Sequence, residues 1–126
     1  MRLLDLVLVF IGGGFGSIVR FLLGRWVNAW HDHAFPFGTL SVNIVACLVL
    51  GYVVGIADHR QLISPAARLF WAVGFCGGFS TFSTFSAETL TLLQGGLHLT
   101  TIAYILLSLL LCLVAIFGGL YLGEHA

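Results

Sequence analysis

Residues 69–87 form a stretch without a charged side chain, and small and hydroxyl residues interrupt its centre. An uncharged stretch of this length is typical of a membrane-spanning helix, but a double glycine weakens a helix. Backbone that leaves helical geometry at bilayer depth must be buried in protein or line a wet cavity. The stretch therefore predicts a polar path or an ion site, and a tightly packed helix interface is the alternative. The interrupting run is Gly77-Gly78-Phe79-Ser80-Thr81-Phe82-Ser83-Thr84-Phe85-Ser86.

Composition places the whole chain in the membrane class. Hydrophobic residues make up 60% and charged residues 8% of the 126 residues, and the mean hydropathy is +1.08. A soluble domain of this size could not cover so much apolar surface. Because one crossing takes about 20 residues, we expect an all-α membrane protein with four transmembrane helices in one domain, residues 1–126, the third helix broken near its middle. The expected spans are about 3–26, 35–57, 65–93 and 99–123.

The distribution of arginine indicates how the chain inserts. The chain has no lysine, and with four spans one side carries Arg2, Arg60 and Arg68 while the other carries Arg25 and Arg20. With so small a difference, the positive-inside rule predicts no strong preference for one orientation. It favours insertion in both orientations, which could then pair as an antiparallel homodimer. The alternative is that the difference is enough to fix one orientation.

Each predicted span contains two glycines four residues apart, which is the spacing that lets helix backbones approach closely in a membrane. Four short helices still form a thin bundle with little interior, so a second copy of the chain is the expected partner. The pairs are Gly12 and Gly16, Gly51 and Gly55, Gly74 and Gly78, and Gly119 and Gly123.

Several polar side chains within the spans need an explanation. Arg20 either reaches back to the interface or has a functional role. The Asn43 amide either bonds a neighbouring helix or donates to a passing anion. On the fourth helix, Tyr104, Ser108 and Cys112 share one face. Cys47, Cys76 and Cys112 all lie inside spans and show no disulfide or zinc spacing.

Most of these buried groups are hydrogen-bond donors, which suit an anion better than a cation. Phe79, Phe82 and Phe85 recur every three residues, and the edge of an aromatic ring is positive. Ring edges along a path would attract a small anion, and simple packing is the alternative. In the first loop, His31 and His33 flank Asp32, which is either a metal-binding cluster or an ordinary polar loop.

The chain resembles the Fluc (CrcB) family of bacterial fluoride channels over its whole length. The resemblance rests on Gly12-Gly13 through Gly16 to Arg20, on Phe37-Gly38-Thr39 to Asn43, and most specifically on the run 77–86 followed by Glu88. It implies a fluoride-selective channel that exports fluoride passively and so gives fluoride resistance. It also implies a dual-topology antiparallel homodimer and a structural Na⁺ ion held at the dimer interface by backbone carbonyls.

The resemblance also implies roles for individual residues. Phe82 and Phe85 would present ring edges to fluoride, and the carbonyls of Gly77 and Ser80 would bind sodium. Cys47 and Cys112 depart from the residues that the family more often has at these positions. The remaining expected pore residues are Asn43, Tyr104, Ser108, Thr39, Ser83, Thr84, Glu88 and Arg20.

The expected location is the bacterial cytoplasmic (inner) membrane, with fluoride, the lipid bilayer and a second copy of the chain as partners and no nucleic acid. A small dual-topology coupled exporter resembling the small multidrug-resistance transporters is the alternative. Those transporters use a carboxylate deep in the first helix, where this chain has only Asp5 at the start. A non-transporting assembly subunit is a third possibility, but the aligned polar residues speak against it. No nucleophile–base pair or metal cluster falls in the spans, so an enzyme is not expected.

Overall fold

The computed structural model describes residues 1–126, and every regular element in it is helical. Helix α1 is Leu3–Asn28, and α2 is Phe37–Val54 with a π-helical continuation at Gly55–His59. Helix α3 covers residues 65–79 as a short turn (Pro65–Arg68), a π-helical section (Leu69–Cys76) and a last turn (Gly77–Phe79). Helices α4 and α5 are Phe82–Gln94 and His98–Glu124. The prediction of an all-helical chain is confirmed.

Local sequence signals explain where the helices begin. The Ser64 hydroxyl accepts a hydrogen bond from the backbone N–H of Ala67, and Pro65 occupies the first turn of α3. At the start of α2, the Asn28 side chain of α1 accepts from the N–H of Gly38 at 3.1 Å. Gly96 has φ +76°, a conformation that only glycine adopts readily, and it turns the chain between α4 and α5.

The glycine pairs mark two close helix contacts. Gly12 and Gly16 of α1 lie against α3, and a Cβ added to Gly16 would be 2.1 Å from the carbonyl oxygen of Phe75. Gly51 of α2 lies against α5, and Gly119 of α5 lies against α2. A Cβ added to either glycine would be 2.1 Å from a backbone oxygen of the other helix. Neither distance leaves room for a side chain. The predicted role of these glycines in close helix packing is confirmed.

The third segment changes conformation at its centre. Helix α3 ends at Phe79, Ser80 and Thr81 are extended, and α4 begins at Phe82. Three helices are long and apolar enough to cross a membrane, namely Leu3–Asn28, Phe37–His59 and His98–Glu124. Because the chain turns at Ser80 and Thr81, neither α3 nor α4 reaches that length alone. Arg20 lies within the continuous helix α1.

Candidate ion pathway

The extended residues between α3 and α4 are held by a side chain from α2. The Asn43 amide oxygen accepts a hydrogen bond from the backbone N–H of Thr81 at 3.0 Å, and its nitrogen donates to the carbonyl of Thr81 at 3.3 Å. Both backbone groups of Thr81 are therefore paired although they have left the helix. This arrangement corresponds to the first of the two predicted roles of Asn43, bonding a neighbouring helix, and it leaves one amide hydrogen of Asn43 free to donate elsewhere.

A cavity of about 330 Å³, called here the phenylalanine cavity, lies beside this clamp. It brings together five of the residues predicted for the site. The Ser108 hydroxyl oxygen on its wall is buried and has no hydrogen-bond partner. A buried hydroxyl usually has a partner, so this one is a donor available to a bound ion. The predicted residues lining the cavity are Asn43, Ser80, Phe82, Phe85 and Ser108.

The two cavity phenylalanines differ in what covers them. The Phe85 ring packs 5.1 Å from the Tyr104 ring and belongs to the cluster around Leu40 and Leu92. The Phe82 ring lies 5.5 Å from the Phe85 ring but is 77% exposed. One side of the cavity is therefore open in the single chain.

Glu88 joins α2, α4 and α5 through hydrogen bonds. Its carboxylate accepts a hydrogen bond from the Thr39 hydroxyl at 2.6 Å and another from the Tyr104 hydroxyl at 3.2 Å. The Tyr104 side chain is fully buried. Two hydroxyl donors hold the carboxylate in place and offset part of its negative charge.

A second cavity, of about 180 Å³, lies on the other side of the clamp and is called the arginine cavity. It is lined by Arg20, Arg25, Thr39, Thr81 and Thr84 among others. The guanidinium Nε of Arg20 donates to the carbonyl oxygen of Gly78 at 3.3 Å. Arg20 thus brings a positive charge to the C-terminal end of α3, where the helix dipole favours it.

The structure separates residues that the sequence placed on one path. Arg20, Thr39 and Thr84 line the arginine cavity, while Phe82 and Phe85 line the phenylalanine cavity. Ser83 is exposed and contacts the Thr81 hydroxyl at 3.2 Å. Thr81 lines both cavities, so it stands between them.

The expectation that the phenylalanines form one continuous stripe is wrong. Phe79 is 1% exposed and stacks on Phe75 at 5.5 Å between ring centres. The extended residues after Phe79 rotate α4 relative to α3, so Phe82 and Phe85 line the phenylalanine cavity instead of joining this core. Phe75 and Phe79 are core residues, which agrees with packing as their role.

The two residues predicted to bind sodium, Gly77 and Ser80, have different surroundings. Ser80 lines the phenylalanine cavity. Gly77 is exposed, and a Cβ there would meet nothing within 4 Å. The carbonyl of the next residue, Gly78, accepts hydrogen bonds from Arg20 and Ser17. The end of a helix leaves carbonyls without helical partners, and these are ligands that suit a hard cation.

Two site residues, Thr81 and Cys47, were not predicted from the sequence, and Cys112 was predicted only to share a face with Tyr104 and Ser108. Thr81 caps the start of α4, where its hydroxyl accepts a hydrogen bond from the N–H of Thr84 at 3.1 Å. A hydroxyl residue directly before the helical run was the available signal. Cys47 and Cys112 both line the phenylalanine cavity, which requires knowledge of how α2 and α5 pack. No group of three or more His, Cys, Asp or Glu residues is placed to hold a metal ion.

A family model and individual known proteins that resemble this chain point to the same family. The model of the family described as CrcB-like protein, Camphor Resistance (CrcB), matches residues 7–120. A protein of Bacteroides fragilis is 43% identical over 124 residues, covering 96% of this chain and 97% of its own length. A protein of Gloeothece citriformis is 38% identical over 123 residues, covering 98% and 99%. Both are named fluoride-specific ion channel FluC. The resemblance noted from the sequence is confirmed, and the chain belongs to the CrcB family.

Proposed function

We propose that this protein is a fluoride channel that exports fluoride passively, giving resistance to fluoride. The observation that carries the proposal is the buried, unpartnered Ser108 hydroxyl in a cavity that also holds the Phe82 and Phe85 rings. The relatives named fluoride-specific ion channel support it. A channel has no reaction to catalyse, so the protein is not an enzyme.

The chemistry of the cavity suits a small, strongly hydrated anion. Fluoride gives up water only where other donors replace it, and Ser108 and the free hydrogen of Asn43 are such donors. Positive ring edges of Phe82 and Phe85 add weaker attraction. Binding that is spread over several weak donors also lets the ion leave, which conduction requires.

Export follows from acid–base chemistry outside the protein. Hydrogen fluoride enters a cell as a neutral molecule from acidic surroundings and ionises inside. The negative interior then drives the fluoride anion outward, so a passive pore in the bacterial inner membrane is sufficient. The coupled-exporter alternative is not favoured, because the acid of α1, Asp5, pairs with Arg2 at the helix start.

We also propose that the working unit is an antiparallel, dual-topology homodimer in which α3 and α4 together form the third, broken crossing. Phe82 is 77% exposed beside the open cavity, and a second chain would supply the missing wall. Gly77 is exposed at the break with nothing within 4 Å of an added Cβ, so another backbone can approach there.

A structural sodium ion would bind where the two breaks meet. The carbonyls of Gly77 and Ser80 lie at and just beyond the C-terminal end of α3, which is the negative end of the helix dipole. The ion would hold the two extended segments together across the dimer. We expect fluoride flux and dimer content to fall together when a large organic cation replaces sodium throughout purification.

The deciding experiment is fluoride efflux from liposomes that contain the purified protein, with chloride efflux as the matched control. We expect rapid fluoride efflux that follows the membrane potential and little chloride efflux. Fluoride efflux no faster than from protein-free liposomes would overturn the proposed function. Efflux that required a proton gradient would instead favour the coupled exporter.

A further inference from the structure

A third cavity, of about 290 Å³, lies between the end of α1, the first loop and α4. We call it the histidine cavity, because His31 and His33 line it together with Asn28 and Glu88. Glu88 is the residue whose carboxylate meets Thr39 and Tyr104. Glu88 therefore links this cavity, through Tyr104, to Phe85, which lines the phenylalanine cavity. The volume of the histidine cavity is enough for an ion with part of its water.

The hydrogen bonds of His31 define which nitrogen carries its proton. The backbone N–H of His33 donates to Nδ1 of His31 at 3.1 Å. A backbone N–H can only donate, so Nδ1 is the acceptor and the neutral ring carries its proton on Nε2. This Nε2 is buried and has no hydrogen-bond partner. The ring thus holds a buried donor that lacks an acceptor.

The ring is fixed by aromatic neighbours rather than by ion pairs. It stacks on the His33 ring at 5.8 Å and meets the Phe37 ring edge to face at 4.9 Å. Both neighbours belong to the first loop and the start of α2. A donor held this way is positioned before any ligand arrives, which favours binding.

The charge in the cavity depends on the histidines. Helix α4 brings the carboxylate of Glu88, the loop brings the two imidazoles, α1 brings the neutral Asn28, and α5 brings no residue to the wall. Asp32 between the histidines is exposed. With neutral rings Glu88 leaves the cavity negative, and protonation of an imidazole cancels that charge. Protonation at Nδ1 also breaks the bond from His33, since two donors then face each other.

We propose that the histidine cavity is a binding site for a small anion at the mouth of the pathway, with the Nε2–H of His31 as a donor. Protonation of the ring strengthens the site, so the mouth collects fluoride better in acid. This inference rests on the proposed function, because fluoride is the anion that the pathway would draw from the site. It adds a titratable step that the buried hydroxyls and rings do not provide.

The test is fluoride efflux from liposomes at pH 8 and pH 6, with protein-free liposomes subtracted for leakage of neutral hydrogen fluoride. Histidine is the side chain that gains charge over this range. One added positive charge at the mouth raises the local anion concentration about threefold, so the parent should conduct about threefold faster at pH 6. His33→Gln removes the second imidazole of the cavity and should keep most of the rise. His31→Gln keeps an N–H donor without the charge change, and when it is combined with His33→Gln the ratio of the two rates should fall to about one. His59→Gln, exposed at the far end of α2, is the control and should behave like the parent.

Two flux results would overturn the inference while leaving a fluoride channel in place: a parent rate that does not change with pH, or a change that survives when His31→Gln and His33→Gln are combined. If the parent conducts no fluoride at all, the proposed function fails, and a binding measurement then decides the site. Fluoride is titrated into protein labelled with ¹⁵N-histidine at pH 6. A saturable shift of the His31 Nε2 resonance supports the anion site, and the absence of a shift overturns it.

Discussion

Phe82 and Phe85 line the same cavity, yet they have different surroundings. Phe85 is packed on Tyr104, whereas Phe82 is 77% exposed. A change at Phe82 therefore tests contact with an ion or a second chain with little effect on the core. A change at Phe85 affects the core as well.

We expect Phe82→Ile and Phe85→Ile each to lower fluoride flux at least about tenfold, because an aliphatic side chain has no positive edge and each edge contact contributes about 1 kcal/mol. Because the ion passes both rings, the free-energy barriers at Phe82 and Phe85 combine, and the flux can fall further. The measurement is efflux from liposomes. Phe117→Ile, equally apolar and 68% exposed on α5, should conduct like the parent. Gel filtration checks that each variant assembles, and parent-like flux in a Phe82 variant would exclude the ring-edge mechanism.

Asn43 holds the backbone of Thr81 through two hydrogen bonds. Asn43→Asp keeps the acceptor for the Thr81 N–H but places a carboxylate beside the Thr81 carbonyl and in the cavity wall. We expect fluoride flux to fall at least about tenfold, since a like charge repels the anion. Asn43→Ala removes the clamp without adding charge and should lose about 1–2 kcal/mol of stability. If Asn43→Ala loses as much flux as Asn43→Asp in stable protein, the clamp is what conduction needs.

At the scale of helices, packing depends on backbone contact at glycine. Gly119 of α5 lies against α2 so closely that an added Cβ would be 2.1 Å from the carbonyl oxygen of Leu48. The neighbouring Gly118 has nothing within 4 Å of such an atom. The two glycines therefore differ only in what faces them.

Gly119→Ala should destabilise the fold by about 1–3 kcal/mol, because the helices must separate to admit the methyl group. Gly118→Ala should be neutral or slightly stabilising, since alanine is the better helix former. Thermal unfolding in detergent measures both. Equal melting temperatures for the two variants would contradict the close contact of α2 with α5.

The helices illustrate what a sequence can predict. Apolar length and glycine spacing depend on neighbours along the chain, so the helical class and the presence of close helix contacts at the glycine pairs were predictable, but which helices pair was not. The clamp of Asn43 on Thr81 and the burial of Phe79 were not, because each depends on the rotation of one helix against another. The two extended residues at Ser80 and Thr81 supply that rotation, and no periodicity in the sequence encodes its size.

At the scale of the molecule, a single chain leaves its cavity open and much of its apolar surface uncovered. If the chain inserts in both orientations, a label placed in the first loop must be on both sides of the membrane. Asp32→Cys in a chain whose cysteines are replaced by serine provides such a label, since Asp32 is exposed. A membrane-impermeant maleimide should label about half of the protein from outside, as near-balanced arginines predict. Complete labelling, or labelling only after the membrane is permeabilised, would show a single orientation.

The contact between α2 and α5 also has a consequence for biosynthesis. These two helices share the most extensive helix contact in the chain, yet α3 and α4 are synthesised between them. When α2 leaves the translocon, its glycine groove at Gly51 and Gly55 has no partner, because Gly119 and Gly123 are still unmade or inside the ribosome. Helix α1 can pack on α3 first, whereas α2 gains its closest helix contact only after α5 has been synthesised. A chain that lacks α5 therefore leaves the glycine groove of α2 uncovered in the lipid.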